Sequence, residues 1–177
     1  MKQIIVTGFE PFGGAERNAS WEAVKELTGV RTVLLPVSFR RACGMVRELA
    51  AGEVDAILCV GEAGSREKIT IERIAVNLMD ARIPDNDGNQ PKDEPVCPGK
   101  PEARFSTLPV RTMLEAVPDA ELSCTAGTYV CNAVFYTLMD EIHDRGNVTR
   151  GGFVHVPAKG MTKEHLAEAL RCMISVI

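Results

Sequence analysis

Along the chain, short apolar runs rich in β-branched residues alternate with longer segments in which apolar positions recur at helical spacing. The short runs predict strands at Gln3–Thr7, Thr32–Leu35, Ala56–Val60, Ile69–Asn77, Glu121–Thr125 and Gly152–Val156. The longer segments predict helices at Ser20–Leu27, Phe39–Ala51, Pro109–Ala116, Tyr129–Arg145 and Thr162–Val176, each opening near a Ser, Thr or Pro suited to a helix start. Such alternation argues for an α/β fold: one domain over residues 1–177, a three-layer sandwich with a mostly parallel, twisted sheet and helices on both faces. No repeat, low-complexity tract or linker divides it.

One segment departs from the pattern. Ala81–Pro101 carries Pro84, Pro91, Pro95, Pro98 and Pro101 among Asp, Asn and Gly, which suits neither a helix nor a central strand. Its Asp85-Asn86-Asp87-Gly88 run resembles a calcium loop only superficially, because position one of that pattern falls on Ile83. A long irregular segment in a compact domain is expected to be a lid or an interface loop.

Composition narrows the function. At 177 residues the chain buries roughly 70% of its unfolded surface, enough for a substantial core. With 20 basic and 24 acidic residues scattered along it, the chain offers no stripe for nucleic acid or an anionic membrane. Met1-Lys2-Gln3 runs straight into a strand, leaving no room for a signal-peptide core, and no apolar run approaches the ~20 residues of a membrane span. The expectation is a cytoplasmic protein. Six cysteines without a C-x-x-C pair or zinc-like spacing fit free thiols in a reduced compartment better than a disulfide framework.

Ligands of open α/β sheets bind beyond the carboxyl ends of the strands. Four distinctive segments meet that rim: Gly8–Gly14, Gly61–Arg66, Ala126–Cys131 and His155-Val156-Pro157. The first lacks the Lys and bare backbone of a phosphate cradle; Phe9 and Phe12 suit a flat, uncharged ligand, or else are core residues beside a tight turn. Cys131 follows Thr128, read as an N-cap, by three residues, and a thiol in a helix's first turn is expected to have its thiolate favoured; an inert, buried thiol is the other reading. Of three histidines, His143 and His165 fall on helix ends facing solvent, whereas His155 ends a strand on the same rim, as a base or as a satisfied core residue. Glu72, counted in twos, shares a face with Ile74 and Val76, and a carboxylate there needs a partner such as an imidazole; a bulge at Glu72-Arg73 would instead turn the pair outward.

These segments resemble the pyroglutamyl peptidase I family. The likeness runs through Val6–Gly14, Gly61–Asn77, Asp80–Asn86, Phe105–Val110, Ser123–Asn132 and Gly152–Pro157. It implies an α/β cysteine peptidase without a cofactor, in which Glu72, Cys131 and His155 form the triad, and the Cys131 N–H and Arg82 stabilise the oxyanion. It also implies small peptides with N-terminal pyroglutamate as substrates, held by Phe9, Phe12, Glu62 and Val130, and a homotetramer or homodimer as the assembly. Glu62 stands where the family usually has Gln, and Ser65 replaces a Gly. The alternatives are a thiol hydrolase of another small cyclic or blocked amide, and a catalytically silent binding protein on the same fold.

Overall fold

The computed structural model describes residues 2–146 and 148–177. Strands β1 (Ile4–Phe9), β2 (Arg31–Leu35), β3 (Ala56–Ala63), β4 (Thr70–Glu72), β7 (Glu121–Ser123) and β8 (Arg150–Pro157) form a sheet in the order β2-β1-β3-β8-β4-β7. Its members are parallel except across the β8–β4 junction. Two short strands, β5 (Ile74–Val76) and β6 (Ala103–Phe105), pair antiparallel outside it.

Strand alternation divides the core into two. Ile5 and Phe9 of β1, Ile57 and Cys59 of β3, and Phe153 of β8 face α2 (Phe39–Ala51) and α4 (Val130–Arg145). Their neighbours Ile4, Val6, Leu58, Val60, Val154 and Val156 face α1 (Ala19–Val24), α3 (Val110–Ala116) and α5 (Lys163–Ser175). Central strands buried on both faces need near-continuous apolar runs, which is why β1, β3 and β8 were legible as strands. Helix α2 buries Phe39, Ala42, Cys43, Val46 and Ala50 along one stripe, and the Ser38 side chain caps its start by accepting from the Arg41 N–H. Helix α1 lies so close to β1 that a Cβ on Gly8 would come within 2.9 Å of the Trp21 backbone.

The run expected as one strand over Ile69–Asn77 is two. The chain leaves the main sheet at Arg73, whose N–H donates to the Ser123 carbonyl while its own carbonyl accepts from the Ser106 N–H. Main-chain pairing is thereby handed from β7 to the segment after β6, and β5 begins on another partner. The sequence reading missed β6, whose three residues are too few to show a period. Strand β7 stops early because Ser123 Oγ accepts from the Thr125 N–H, a local turn that competes with the ladder.

The proline-rich segment forms no strand beyond an isolated bridge between Met79 and Glu94. It is fastened at its tip, where the buried Asp85 carboxylate accepts from the N–H groups of Phe39 (2.9 Å), Asp87 (3.0 Å) and Asn89 (2.8 Å). Tyr129, at the entry to α4, donates its hydroxyl to the Pro84 carbonyl at 2.9 Å. The loop thus joins the starts of α2 and α4. No helix among the described residues is long and apolar enough to cross a membrane.

Candidate active site

Gly61, His155 and Thr70 occupy one register row across β3, β8 and β4. Paired neighbours in a sheet project from the same face, and Phe153, two residues before His155, identifies it as the α2/α4 face. Glu72 pairs with Phe153 and so points to that face too, while Ile71 between them enters the opposite core. The Glu72 carboxylate is fully buried and its Oε1 lies 2.8 Å from Nδ1 of His155, itself only 4% exposed. The inward orientation anticipated for Glu72 therefore holds, but not because it shares a face with Ile74 and Val76, which lie in the other sheet. The chain does break after Glu72, yet the break carries the following strand away and leaves the carboxylate inside.

Cys131 reaches the same row from above. Helix α4 starts at Val130 with Tyr129 as its N-cap and no side-chain cap; Thr128, expected in that role, donates its hydroxyl to the Asp80 carbonyl instead (2.9 Å). Cys131 is then the second helical residue, where the backbone N–H has no intrahelical partner. Its sulfur rests over Gly61, since a Cβ added there would lie 2.7 Å from Sγ and 2.8 Å from the Phe153 ring. The glycine in mid-strand is thus a seat for the thiol beside His155. Gly61→Ala must displace the sulfur or the ring, and we expect it to cost about 1–3 kcal/mol of stability and to lower kcat more than it raises KM. A thermal melt with steady-state kinetics checks this; unchanged kcat would show that Cys131 tolerates displacement.

Electrostatics correct one expectation. Cys131 keeps some accessible surface, but burial pushes its thiol up to about 12, with Cys59, Glu72 and Glu62 adding to the rise and Arg66 opposing it. Desolvation is the largest cause of that rise, and it favours the thiol over the thiolate. Burial also lowers the His155 imidazole, against the Glu72 hydrogen bond and charge that raise it. Both shifts favour the uncharged partners, a thiol and an imidazole able to accept its proton.

The other predicted residues are placed as follows. Arg82 is exposed, two residues after Asp80, whose N–H donates to the Thr128 carbonyl at 3.1 Å. Phe9 is only 2% exposed and packs on Phe153 at a centroid distance of 6.3 Å, whereas Phe12 is half-buried and leans on Tyr129 at 6.1 Å. Val130 is buried. Glu62 turns to the opposite face of β3 from Gly61, and its Oε2 accepts from the Ala19 N–H at the start of α1 (2.6 Å). His143 and His165 are exposed, as expected. A cleft of about 650 Å³ lies at the far end of the sheet, lined by Gln3, Val54 and Asp55 where strands begin, away from this chemistry.

Three supporting residues escaped the sequence reading. Gly61 looked like a loop glycine. Arg66, whose Nη1 lies 2.6 Å from Glu72 Oε1, could have been sought as the cation a buried carboxylate demands. Asn132 is fully buried and clamps β5 to α4, accepting from the Val76 N–H and donating to the carbonyls of Val76 and Leu78; beside a candidate nucleophile, its amide was a signal left unused.

The family model for pyroglutamyl peptidase matches residues 2–166. The chain belongs to the pyroglutamyl peptidase family. It is 41% identical to a pyrrolidone-carboxylate peptidase of Bacillus amyloliquefaciens, over 96% of this chain and 89% of that protein. With the pyrrolidone-carboxylate peptidase of Thermococcus kodakarensis it shares 46% identity, over 88% and 81%. The crystal structure of pyroglutamyl peptidase I from B. amyloliquefaciens superposes with a TM-score of 0.95 at 40% identity, covering 99% of this chain and 94% of that one. The mixed sheet and the five helices among the described residues are thus the pyroglutamyl peptidase fold.

Proposed function

We propose that this chain is a cysteine-type exopeptidase that hydrolyses the amide bond after an N-terminal pyroglutamyl residue, with Cys131 as nucleophile, His155 as base and acid, and Glu72 as the group that orients the imidazole. The observation that carries this reading is the single row in which the Cys131 sulfur rests on Gly61 and His155 bonds Glu72.

With Nδ1 of His155 held by Glu72, Nε2 is the nitrogen left to work. Cys131 Sγ attacks the pyroglutamyl carbonyl carbon; the S–C bond forms and the thiol proton passes to Nε2. The Cys131 N–H and the Arg82 guanidinium stabilise the oxyanion. Its collapse breaks the C–N bond as His155 returns the proton to the departing amine. Water then attacks the thioester, giving its proton to His155, and release of pyroglutamate restores the thiol. No step calls for a metal or cofactor.

Phe12, half-buried, walls the lactam ring, and the buried Phe9 and Val130 pack behind it. A lactam has no ammonium group, so a bare carboxylate at its side would be poorly paired. Occupation of the Glu62 carboxylate by Ala19 removes that conflict, and a Gln oxygen there could accept the same bond. We further propose a cytoplasmic homodimer or homotetramer: the six thiols are free, and the exposed Phe105 and Val148 share a concavity with Met139, Ile142, Arg104 and Arg150.

Assay of pyroglutamyl, prolyl and glutamyl arylamides side by side tests the reading, with turnover expected for the first alone. Equal rates on all three would indicate another small-amide hydrolase, and absence of turnover by the reduced protein a binding function.

A further inference from the structure

Glu72 leaves an unanswered question of balance. Among the described residues its buried Oε2 has no hydrogen-bond partner, and the contacts that fix the carboxylate fall on Oε1. One of those contacts is His155; the other is Arg66. We propose that Arg66 is a positioning residue for the reaction, one guanidinium that fixes Glu72 behind His155 and at the same time holds the segment that delivers Cys131. This rests on the assignment of Glu72, Cys131 and His155 above.

Arg66 follows the turn that ends β3, where its N–H donates to the Ala63 carbonyl. Its side chain, 22% exposed, returns over the edge of the row. Nη1 bonds Glu72 Oε1 at 2.6 Å and touches Thr70 Oγ1, while Nη2 donates to the Thr125 carbonyl at 2.7 Å. Thr125 lies in the short connection from β7 into α4. That connection has its own small frame, with Ser123 Oγ bonded to the Thr125 backbone and Thr125 Oγ1 accepting from the Gly127 N–H. The guanidinium is therefore the link between the strand that carries the orienting carboxylate and the turn that sets the height of the thiol. A planar fork can serve both at once; an ammonium is a single point and cannot reproduce the two directions.

Charge gives Arg66 a second effect. The groups acting on His155 are Glu72 from β4 and Arg66 from the β3–β4 turn; those acting on Cys131 are Cys59 and Glu62 from β3, Glu72 from β4, and Arg66. Arg66 alone among them is a cation. It lowers the imidazole and lowers the thiol, so its removal raises both.

The test uses the full chain with Arg66→Lys, Arg66→Met and Cys131→Ala, reading kcat and KM on a pyroglutamyl arylamide, and the pH profile of Cys131 alkylation by iodoacetamide followed by peptide mapping. Both Arg66 variants are expected to lose about 10²-fold in kcat with KM within about 3-fold, because the reacting groups are misplaced while the ring pocket stays. Arg66→Met should also move the alkylation profile upward by about one pH unit, whereas Arg66→Lys, which keeps the charge, should leave it in place. Wild-type kcat in Arg66→Lys overturns the proposal, and so does a kcat loss in Arg66→Met with an unmoved alkylation profile, which marks a merely structural arginine. Should Arg66→Met fail to fold by circular dichroism, the kcat of Arg66→Lys decides alone. Turnover by Cys131→Ala would instead overturn the site assignment, so the two failures are told apart.

Discussion

Replacing Cys131 by alanine is expected to abolish turnover of a pyroglutamyl arylamide, lowering kcat by about 10⁴-fold or more. The sulfur is the atom that forms the covalent bond, and nothing else on the row can take its place: Gly61 has no side chain, and Thr70 touches Arg66. The same change at Cys124 or Cys43 should largely retain activity. Cys124 is exposed; Cys43 is buried in the α2 stripe, where burial pushes its thiol up to about 11. Cys43→Ala removes one small buried atom and should cost about 1 kcal/mol of stability with little change in kcat. Equal loss in all three variants would mean that the reactive thiol has been misassigned. Alkylation gives an independent reading of the same chemistry. Because desolvation holds Cys131 as a thiol, its reaction with iodoacetamide near neutral pH depends on His155 accepting the proton. Selective labelling of Cys131 should therefore disappear in His155→Ala.

Much of this arrangement was legible in the sequence because burial and strand ends leave strong signatures. β1, β3 and β8 are apolar on both faces, so their limits were visible, and the rule that ligands gather beyond carboxyl ends then brought Cys131 and His155 to one place. A carboxylate counted onto the apolar face of Ile74 and Val76 was conspicuous, although those two residues lie in the other sheet. What was not legible depends on hydrogen bonds made across long separations. Thr128 is an ordinary N-cap residue by type, and only Asp80, 48 positions away, diverts its hydroxyl. The break at Arg73 is fixed by Ser106 and Ser123, neither of which leaves a local trace. Arg66 lay in a polar segment and Glu62 was read as a substrate-binding residue; their partners Glu72, Thr125 and Ala19 become apparent only once β3 and β4 lie in one sheet. The direction of the Cys131 shift was misjudged for a related cause: a helix start is a local feature, whereas desolvation sums over everything packed around the sulfur.

Glu72→Gln should separate the charge of the orienting group from its shape. Both contacts of the carboxylate fall on Oε1, and a glutamine oxygen in that position can still accept from Arg66 Nη1 and from His155 Nδ1–H. The amide nitrogen would then occupy the place of Oε2, which has no partner to lose. Geometry is thus preserved and the negative charge is gone. The imidazolium formed as the thiol proton transfers loses its counter-charge in a buried site, so kcat is expected to fall by about 10²–10⁴-fold, with KM little changed because the lactam pocket is untouched. Arg66 is left without a partner ion, but its side chain retains 22% of its exposure, so the stability loss should stay near 1–3 kcal/mol. Glu72→Leu removes the acceptor as well. It leaves His155 Nδ1–H without its acceptor and Arg66 without its counter-charge, and should cost about 3–5 kcal/mol. Thermal unfolding with steady-state kinetics on the two variants checks the order. If Glu72→Gln kept wild-type kcat, the carboxylate would be a structural anchor for Arg66 and the charge behind His155 would play no part in the reaction. If Glu72→Gln fell as far in stability as Glu72→Leu, the amide would not be holding Oε1's two contacts, and the orientation of His155 would depend on the ion pair itself.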